Sequence, residues 1–240
     1  MLDRLWAPRT GHDAEDVRAC LAFLASYSVP MLMQVLAVEP RASARRALCD
    51  LIVDIARDEV DAVATFVKDG RWHLVRNTAN ILGRFGDTRA IPHLVSLTGH
   101  PEYRVRREAV EALVRLGTDE AEAAIAAFLD DGDARIRLKA VLSLSDAGVC
   151  HALPTLLTLL QQADPLGRQA PIKEAIITAV ARVAVQQAVP VLEHLACRRV
   201  LAPWNRQLRR QARDALAHIT ARRSVTQPPP PRLGARVGSI

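Results

Sequence analysis

The side chains of this chain that could do chemistry are few and scattered. His93 and His100 stand seven residues apart, on one face of a helix that holds both. About 10 Å of helix rise would separate them, and neither has an acid three or four positions further on to complete a metal site. His73, His151, His194 and His218 read as surface or partly buried polar residues. Arginine could bind phosphate: Arg45 and Arg46, Arg76, Arg106 and Arg107, and Arg137 recur in step, with Lys173 following. Trp72, Tyr103 and Trp204 could stack on a base. There is no phosphate-cradling Gly loop, no nucleophile elbow and no H-E-x-x-H pair. The expectation is therefore no catalytic residue, no metal site and no cofactor.

The elements that would position these residues are set by a strict period. Leu32, Val63, Leu94, Ile125 and Leu156 are spaced 31 apart, and so are Val35, Phe66, Leu97, Phe128 and Leu159. Further rows run through Leu74, Val105 and Ile136, through Val17, Leu48, Ala79, Val110 and Val141, and through Cys20, Leu51, Leu82, Leu113 and Leu144. Such a period marks one supersecondary unit repeated and stacked, because a lone unit cannot bury its apolar face. Residues 71–100 give the unit. Leu74, Thr78, Ile81, Leu82 and Phe85 share one helical face, Gly86-Asp87 breaks the helix, and a second helix follows with Ile91, Leu94, Val95 and Leu97 inward. Pro30, Pro92 and Pro154 are 62 apart, with Asp61 and Ala123 between them, which predicts the first turn of each second helix.

These rows predict an all-α solenoid of about six hairpins: 13–38, 41–68, 71–99, 102–130, 133–162 and 168–201. The register breaks at 161–170, where a five-residue excess changes the step to 36, taking Pro154 to Pro190. An Arg-rich helix from about Trp204 to Ala221 would cap the stack with Leu208, Ala212, Ala215, Leu216 and Ile219 inward. The expected organisation is an N-terminal extension at 1–12, a solenoid at 13–222 and a Pro-rich disordered tail at 223–240.

Composition narrows the class. Half of the residues are apolar but only 4% aromatic, and Arg outnumbers Lys 29 to 3. The net charge of +6 is unevenly spread, for residues 198–240 hold ten Arg and one acid, leaving the rest at −3. No stretch has the roughly 18–20 apolar residues of a membrane span. The N-terminus lacks a secretory apolar core, and Cys20, Cys49, Cys150 and Cys197 form no CxxC pair. Cys20 and Cys150 read as small core residues, and a reducing cytoplasm is the expected location.

The repeat resembles the HEAT-like repeats, in particular the short bacterial type named for phycobilisome lyases. The matching residues are Val75-Arg76, Gly86-Asp87 and Ala90-Ile91-Pro92. They recur as Val105-Arg106 with Gly117-Thr118-Asp119, and as Asp133, Ile136-Arg137 and Ala152-Leu153-Pro154. The resemblance is strongest over 41–160 and implies a right-handed superhelix whose second helices line its concave face. It also implies that the recurring Arg defines the repeat, pairing with turn acids such as Asp87, Asp119, Asp131 and Asp133, against the alternative of a phosphate-binding ladder. HEAT-type di-iron hydroxylases carry His-Glu dyads, and this sequence has no His-Glu step.

Two surfaces are candidates for binding. The outward rows of the second helices are Met31, Ala62, His93, Ala124, Thr155 and Gln34, Thr65, Ser96, Ala127, Thr158. Neither contains Lys or Arg, which suits a partner helix or peptide; the alternative is short side chains packed between neighbouring helices. Arg198, Arg199, Arg206, Arg209, Arg210 and Arg213 form the second candidate, either a basic patch for an acidic partner, RNA or membrane, or a solvated cap. The expected function is a non-enzymatic scaffold binding an unidentified protein through Met31, Gln34, Thr65, His93, Ser96, Thr155 and Thr158. The alternatives are a nucleic-acid-binding protein of DNA-glycosylase type anchored by the Arg cluster, and a bilin lyase or cofactor chaperone.

Overall fold

The computed structural model describes residues 11–197 and 203–226, with side chains over 15–197 and 205–222. All regular structure among the described residues is helical. Two compact units divide the chain, Met1–Thr155 and Leu156–Ile240.

In the first unit the helices alternate in pairs. They are α1 (Gly11–Phe23) and α2 (Ala25–Val38), α3 (Ala42–Ile55) and α4 (Val60–Ala64), α5 (Trp72–Phe85) and α6 (Ile91–Val95), and α7 (Tyr103–Leu116) and α8 (Asp119–Ile125). Then come α9 (Ala134–Ser143), α10 (Asp146–His151) and the start of α11 (Leu153–Gln161). First helices stack on first helices, α1 on α3, α3 on α5, α5 on α7 and α7 on α9. Second helices stack likewise, α2 on α4, α6 on α8 and α8 on α10. The approach of α5 to α7 is close because Gly83 lies against Ala112, whose Cα is 2.5 Å from where a Cβ would sit.

The 31-residue rows are the core. Leu32, Val63, Leu94 and Ile125 are all buried in the first unit, and Leu156 is buried in the second. Each such side chain contributes about 1.5–3 kcal/mol on leaving water. The first helices end where the sequence places glycine: Gly86 and Gly117 take φ of 73° and 62°, the left-handed conformation that closes a helix. Gly148, one period on, does not. The chain instead starts a new helix at Ser145, whose side chain accepts the Gly148 N–H, so Gly148 lies inside α10.

The second helices are shorter than their apolar pattern. Those of the second to fourth pairs each end in a 3-10 turn, at Thr65–Lys68, Ser96–Gly99 and Ala126–Phe128. Asp61, Pro92 and Pro154 occupy the second position of α4, α6 and α11 as the proline spacing predicts. Pro30 and Ala123 depart from it: Ala123 is the fifth residue of α8, and Pro30 lies inside α2, which starts five residues earlier at Ala25.

Cysteine burial also corrects the sequence reading. Cys49 is buried, and burial pushes its thiol up to about 11. Cys20 and Cys150 are exposed. Cys20 is exposed although its row equivalents Leu51, Leu82, Leu113 and Leu144 are buried, and Cys150 falls on the exposed side of α10.

The second unit holds the end of α11, α12 (Ala170–Val183), α13 (Val189–Cys197) and α14 (Pro203–Thr226). The register break forms a pinned loop. The buried Asp164 accepts the N–H groups of Arg168 and Gln169 at 2.9 and 2.8 Å, and the buried Lys173 ammonium donates to the Gln162 carbonyl. α14 packs on both α12 and α13 through Leu208, Ala212, Ala215 and Ile219. It runs to Thr226, past Ala221, and residues 227–240 lie outside the described residues.

At Ala184, the position one step of 36 beyond Gly148, an L residue adopts φ of 58°. Entering that region costs a non-Gly residue about 1–2 kcal/mol, while Gly loses more chain freedom on folding. Ala184→Gly is therefore expected to stabilise the second unit by about 0.5–1 kcal/mol, read as a higher urea midpoint.

Candidate functional site: the second-helix face

The predicted binding rows lie on neighbouring second helices, and the structure separates them by exposure. Gln34, Thr65, Ser96 and Ala127 are all exposed in the first unit. In the other row Met31 is exposed, while Ala62, His93, Ala124 and Thr155 are half-buried between adjacent helices. Packing thus claims part of the row through His93 and leaves the row through Ser96 open. Thr158 is exposed in the second unit.

The open row is polar in name more than in free hydrogen-bonding capacity. Thr65 Oγ1 donates to the Ala62 carbonyl and Ser96 Oγ to the His93 carbonyl, each at 2.7 Å. These back-bonds occur where the helix tightens into its 3-10 turn. Gln34 Oε1 accepts from Arg71 Nη2 at 3.2 Å. What faces outward is a strip of neutral side chains in which the Thr65 and Ser96 hydroxyl donors are already used.

The Arg ladder is structural. Arg45 Nη1 donates to the carbonyls of Glu39 and Pro40 at 3.1 and 2.6 Å, and Arg106 Nη1 to those of His100 and Pro101 at 2.7 and 3.1 Å. Arg137 Nη1 reaches the Asp131 carbonyl at 2.6 Å, and Lys173 meets the Gln162 carbonyl. Each cation satisfies carbonyls left open where the preceding second helix ends. Arg106 also grips Asp131 through Nε and Nη2, at 2.7 and 3.1 Å. Arg76 donates to Asn77 Oδ1, and Arg107 lies 3.7 Å from Glu111.

A second set of arginines escaped the sequence reading. Glu39/Arg41, Asp69/Arg71, Asp87/Arg89 and Asp133/Arg135 form brackets in which the carboxylate accepts both the backbone N–H and the guanidinium two residues on. The Arg71 and Arg135 guanidinium hydrogen bonds hold the Asp69 and Asp133 carboxyls down at about 2, and those of Arg89 and Arg41 lower Asp87 and Glu39. The available signal was an acid two residues before an Arg, recurring at helix junctions. The aromatics serve the same frame. The Arg104 guanidinium sits 5.2 Å from the Trp72 ring and 5.6 Å from Tyr103, and Arg135 sits 4.1 Å from Tyr103. The face of Trp72 is therefore occupied by Arg104 of the following hairpin.

His100 Nδ1 accepts the Glu102 N–H at 3.1 Å, and His73 Nε2 donates to the Ala37 carbonyl at 3.0 Å. Among the described residues no three His, Cys, Asp or Glu side chains gather as a metal site. In the second unit, Leu160, Gln161, Pro190, Val191, His194 and Leu195 line a hollow of about 410 Å³ that no sequence row had marked. On α14, Arg206, Arg210 and Arg213 are exposed, whereas Arg209 is half-buried with Nε 3.3 Å from the Ala196 carbonyl. Arg198 and Arg199 lie outside the described residues.

Stacked helical pairs with buried 31-residue rows are what a repeat family would produce, and comparison with known proteins identifies it. The pattern of the HEAT repeats matches residues 29–113 and again residues 92–176. This chain belongs to the HEAT-repeat family. The two matches overlap across α6 and α7, as expected when each HEAT unit stacks on copies of itself. No curated protein matches the chain. Among solved structures, human deoxyhypusine hydroxylase in complex with glycerol is similar at 15% identity and a TM-score of 0.37, covering 89% of this chain and 93% of that one. An engineered protein is similar at 16% identity and a TM-score of 0.39, covering 87% and 97%. Among the described residues no single helix is long and apolar enough to cross a membrane.

Proposed function

We propose that this HEAT-repeat chain is a non-enzymatic scaffold that holds a partner protein on the open face of its second helices. The observation that carries the reading is the strip through Gln34, Thr65, Ser96 and Ala127, which is exposed on successive helices and free of Lys and Arg. A partner helix or extended peptide can lie on such a strip without stranding buried donors, since Thr65 and Ser96 already satisfy theirs. The likeness to the short bacterial phycobilisome-lyase-type repeats, and a place in a reducing cytoplasm, belong to the same reading; the exposed free thiols of Cys20, Cys150 and Cys197 support that place.

The test is recovery of partners on the purified chain against Thr65→Glu/Ser96→Glu, two exposed positions of the strip. With the fold retained by circular dichroism, the variant is expected to lose specific partners by about tenfold or more, as truncation at an interface centre does. Unchanged recovery on a folded variant would sink the reading.

A nucleic-acid reading rests on Arg206, Arg210 and Arg213, which leave their helix toward solvent. Fluorescence anisotropy with duplex DNA decides it: the reading requires low-salt binding that weakens steeply as salt rises.

A further inference from the structure

Resting on the scaffold reading, we infer that the partner held on the strip through Gln34, Thr65, Ser96 and Ala127 is a basic protein segment, whose Lys or Arg side chains seat on a carboxylate edge beside that strip. The edge is formed by the starts of the second helices. Arg89 Nη1 lies 3.7 Å from Asp61, which joins the start of α6 to that of α4. Ser145 Oγ donates to Glu122, which joins the start of α10 to that of α8. The stretches that make the edge, residues 56–61, 86–92, 117–122 and 144–149, hold eight acids and two arginines.

The opposite edge, where the second helices end, is balanced. Residues 38–41, 68–71, 99–104 and 130–135 hold six acids and five cations. There Glu39, Asp69 and Asp133 are each gripped by the Arg two residues on, and Asp131 by Arg106. At the starts the acids are not spent in this way. Asp61 and Asp87 share the single guanidinium of Arg89, which Asp58 also attracts through space. On α8, Thr118 supplies the cap and Glu122 accepts from Ser145. Asp119 and Glu120 are exposed, and neither forms an ion pair among the described residues. A carboxylate in the first turn favours a helix through its dipole, but that role leaves Asp119 and Glu120 open to a cation from outside.

Distance ties the edge to the strip. Asp61 stands four residues before Thr65, and Glu120 seven before Ala127. Those separations are about 6 and 10 Å along a helix, within the combined reach of a carboxylate and a Lys or Arg side chain. Packed helices stand about 8–10 Å apart, so a segment lying across α4, α6 and α8 runs beside the edge for about 20 Å. The strip itself carries no Lys or Arg to repel it. Exposed ion pairs are individually weak. The edge therefore selects the sign of the partner and speeds its encounter, while the strip supplies the contact.

Fluorescence anisotropy on the full chain tests this with two labelled amphipathic peptides of about 18 residues, long enough as helices to cross three neighbours. One is built of Ala, Leu and Lys, and the other has Glu in place of each Lys. The Lys peptide is expected to bind about tenfold more tightly than the Glu peptide, and to weaken as salt rises from about 0.05 to 0.5 M. Asp58→Asn/Asp119→Asn/Glu120→Gln, all at exposed or unpaired positions, is expected to weaken the Lys peptide by about tenfold. Thr65→Lys/Ser96→Lys is expected to weaken it at least as much. Asp130→Asn, which removes an exposed acid from the opposite edge, is expected to leave it unchanged. No binding of the Lys peptide, equal binding of the two peptides, or indifference to the edge variant overturns the proposal and leaves the strip to its own test. Binding lost in the edge variant but kept in Thr65→Lys/Ser96→Lys overturns it through the scaffold reading instead. So does a salt-sensitive self-association without peptide that the edge variant abolishes, which would give the edge to Arg206, Arg210 and Arg213 of a second copy.

Discussion

Arg106→Ala is expected to cost about 3–5 kcal/mol, the range for removing one partner of a buried ion pair. Arg106 and Asp131 are 13% and 3% exposed at their side chains, with contacts of 2.7 and 3.1 Å. The loss would leave the Asp131 carboxylate with the Asp133 N–H as its remaining described donor, and would release the carbonyls of His100 and Pro101 as well. Arg106→Lys keeps the charge but not the two-pronged geometry, and should fall between the wild type and the alanine variant. Arg135→Ala is the control. Its ion pair with Asp133 is just as short, but Arg135 is 68% exposed, and such pairs are worth at most about 1 kcal/mol. Urea midpoints of the three variants check the order. An Arg106→Ala variant no weaker than Arg135→Ala would refute the structural assignment of the ladder.

Phe128→Ala is expected to cost a comparable 3–5 kcal/mol, because the ring is fully buried and leaves a cavity. Phe128 closes the 3-10 turn after α8 and belongs to the row shared by Phe66 and Leu97. Phe66 is only half-buried, so Phe66→Ala should cost markedly less although the two residues are equivalent in sequence. In a stacked array each pair is held by its neighbours, so the damage should be regional. Hydrogen exchange should show protection lost first in α7, α8 and α9, before the α12–α14 cluster.

That contrast shows where the sequence is legible. The identity of the buried rows could be read because burial imposes the same chemistry at each turn of a repeat: Leu94 and Ile125 are apolar for one reason. Gly86 and Gly117 could be read because only glycine enters the left-handed conformation without cost. Row membership failed at Cys20, which is exposed although Leu51, Leu82, Leu113 and Leu144 are buried, and Cys150 lies in no apolar row, its equivalents being Asp119, Thr88 and Arg57. The glycine turn of Gly86 and Gly117 does not recur one period on at Gly148, because Ser145 caps a helix that begins at Asp146 and the local cap prevails over the period. The recurring Arg could be placed at a helix start, but not assigned to carbonyls five and six residues back, since backbone acceptors have no letter in a sequence.

The sequence by itself therefore determined the repeat, its all-helical character, its buried rows and the neutral composition of the second-helix face. These are periodic properties, and the period is visible in one dimension. Only the tertiary structure decided which polar groups are spent and which are free. Arg106 is consumed by Asp131 and two carbonyls, Thr65 and Ser96 by their own helices, and Trp72 by Arg104. It also decided that Asp119 and Glu120 stand exposed with no ion pair among the described residues. Whether a side chain can meet a partner depends on what already lies within about 3–4 Å of it, and that distance is set by packing between elements remote in the chain.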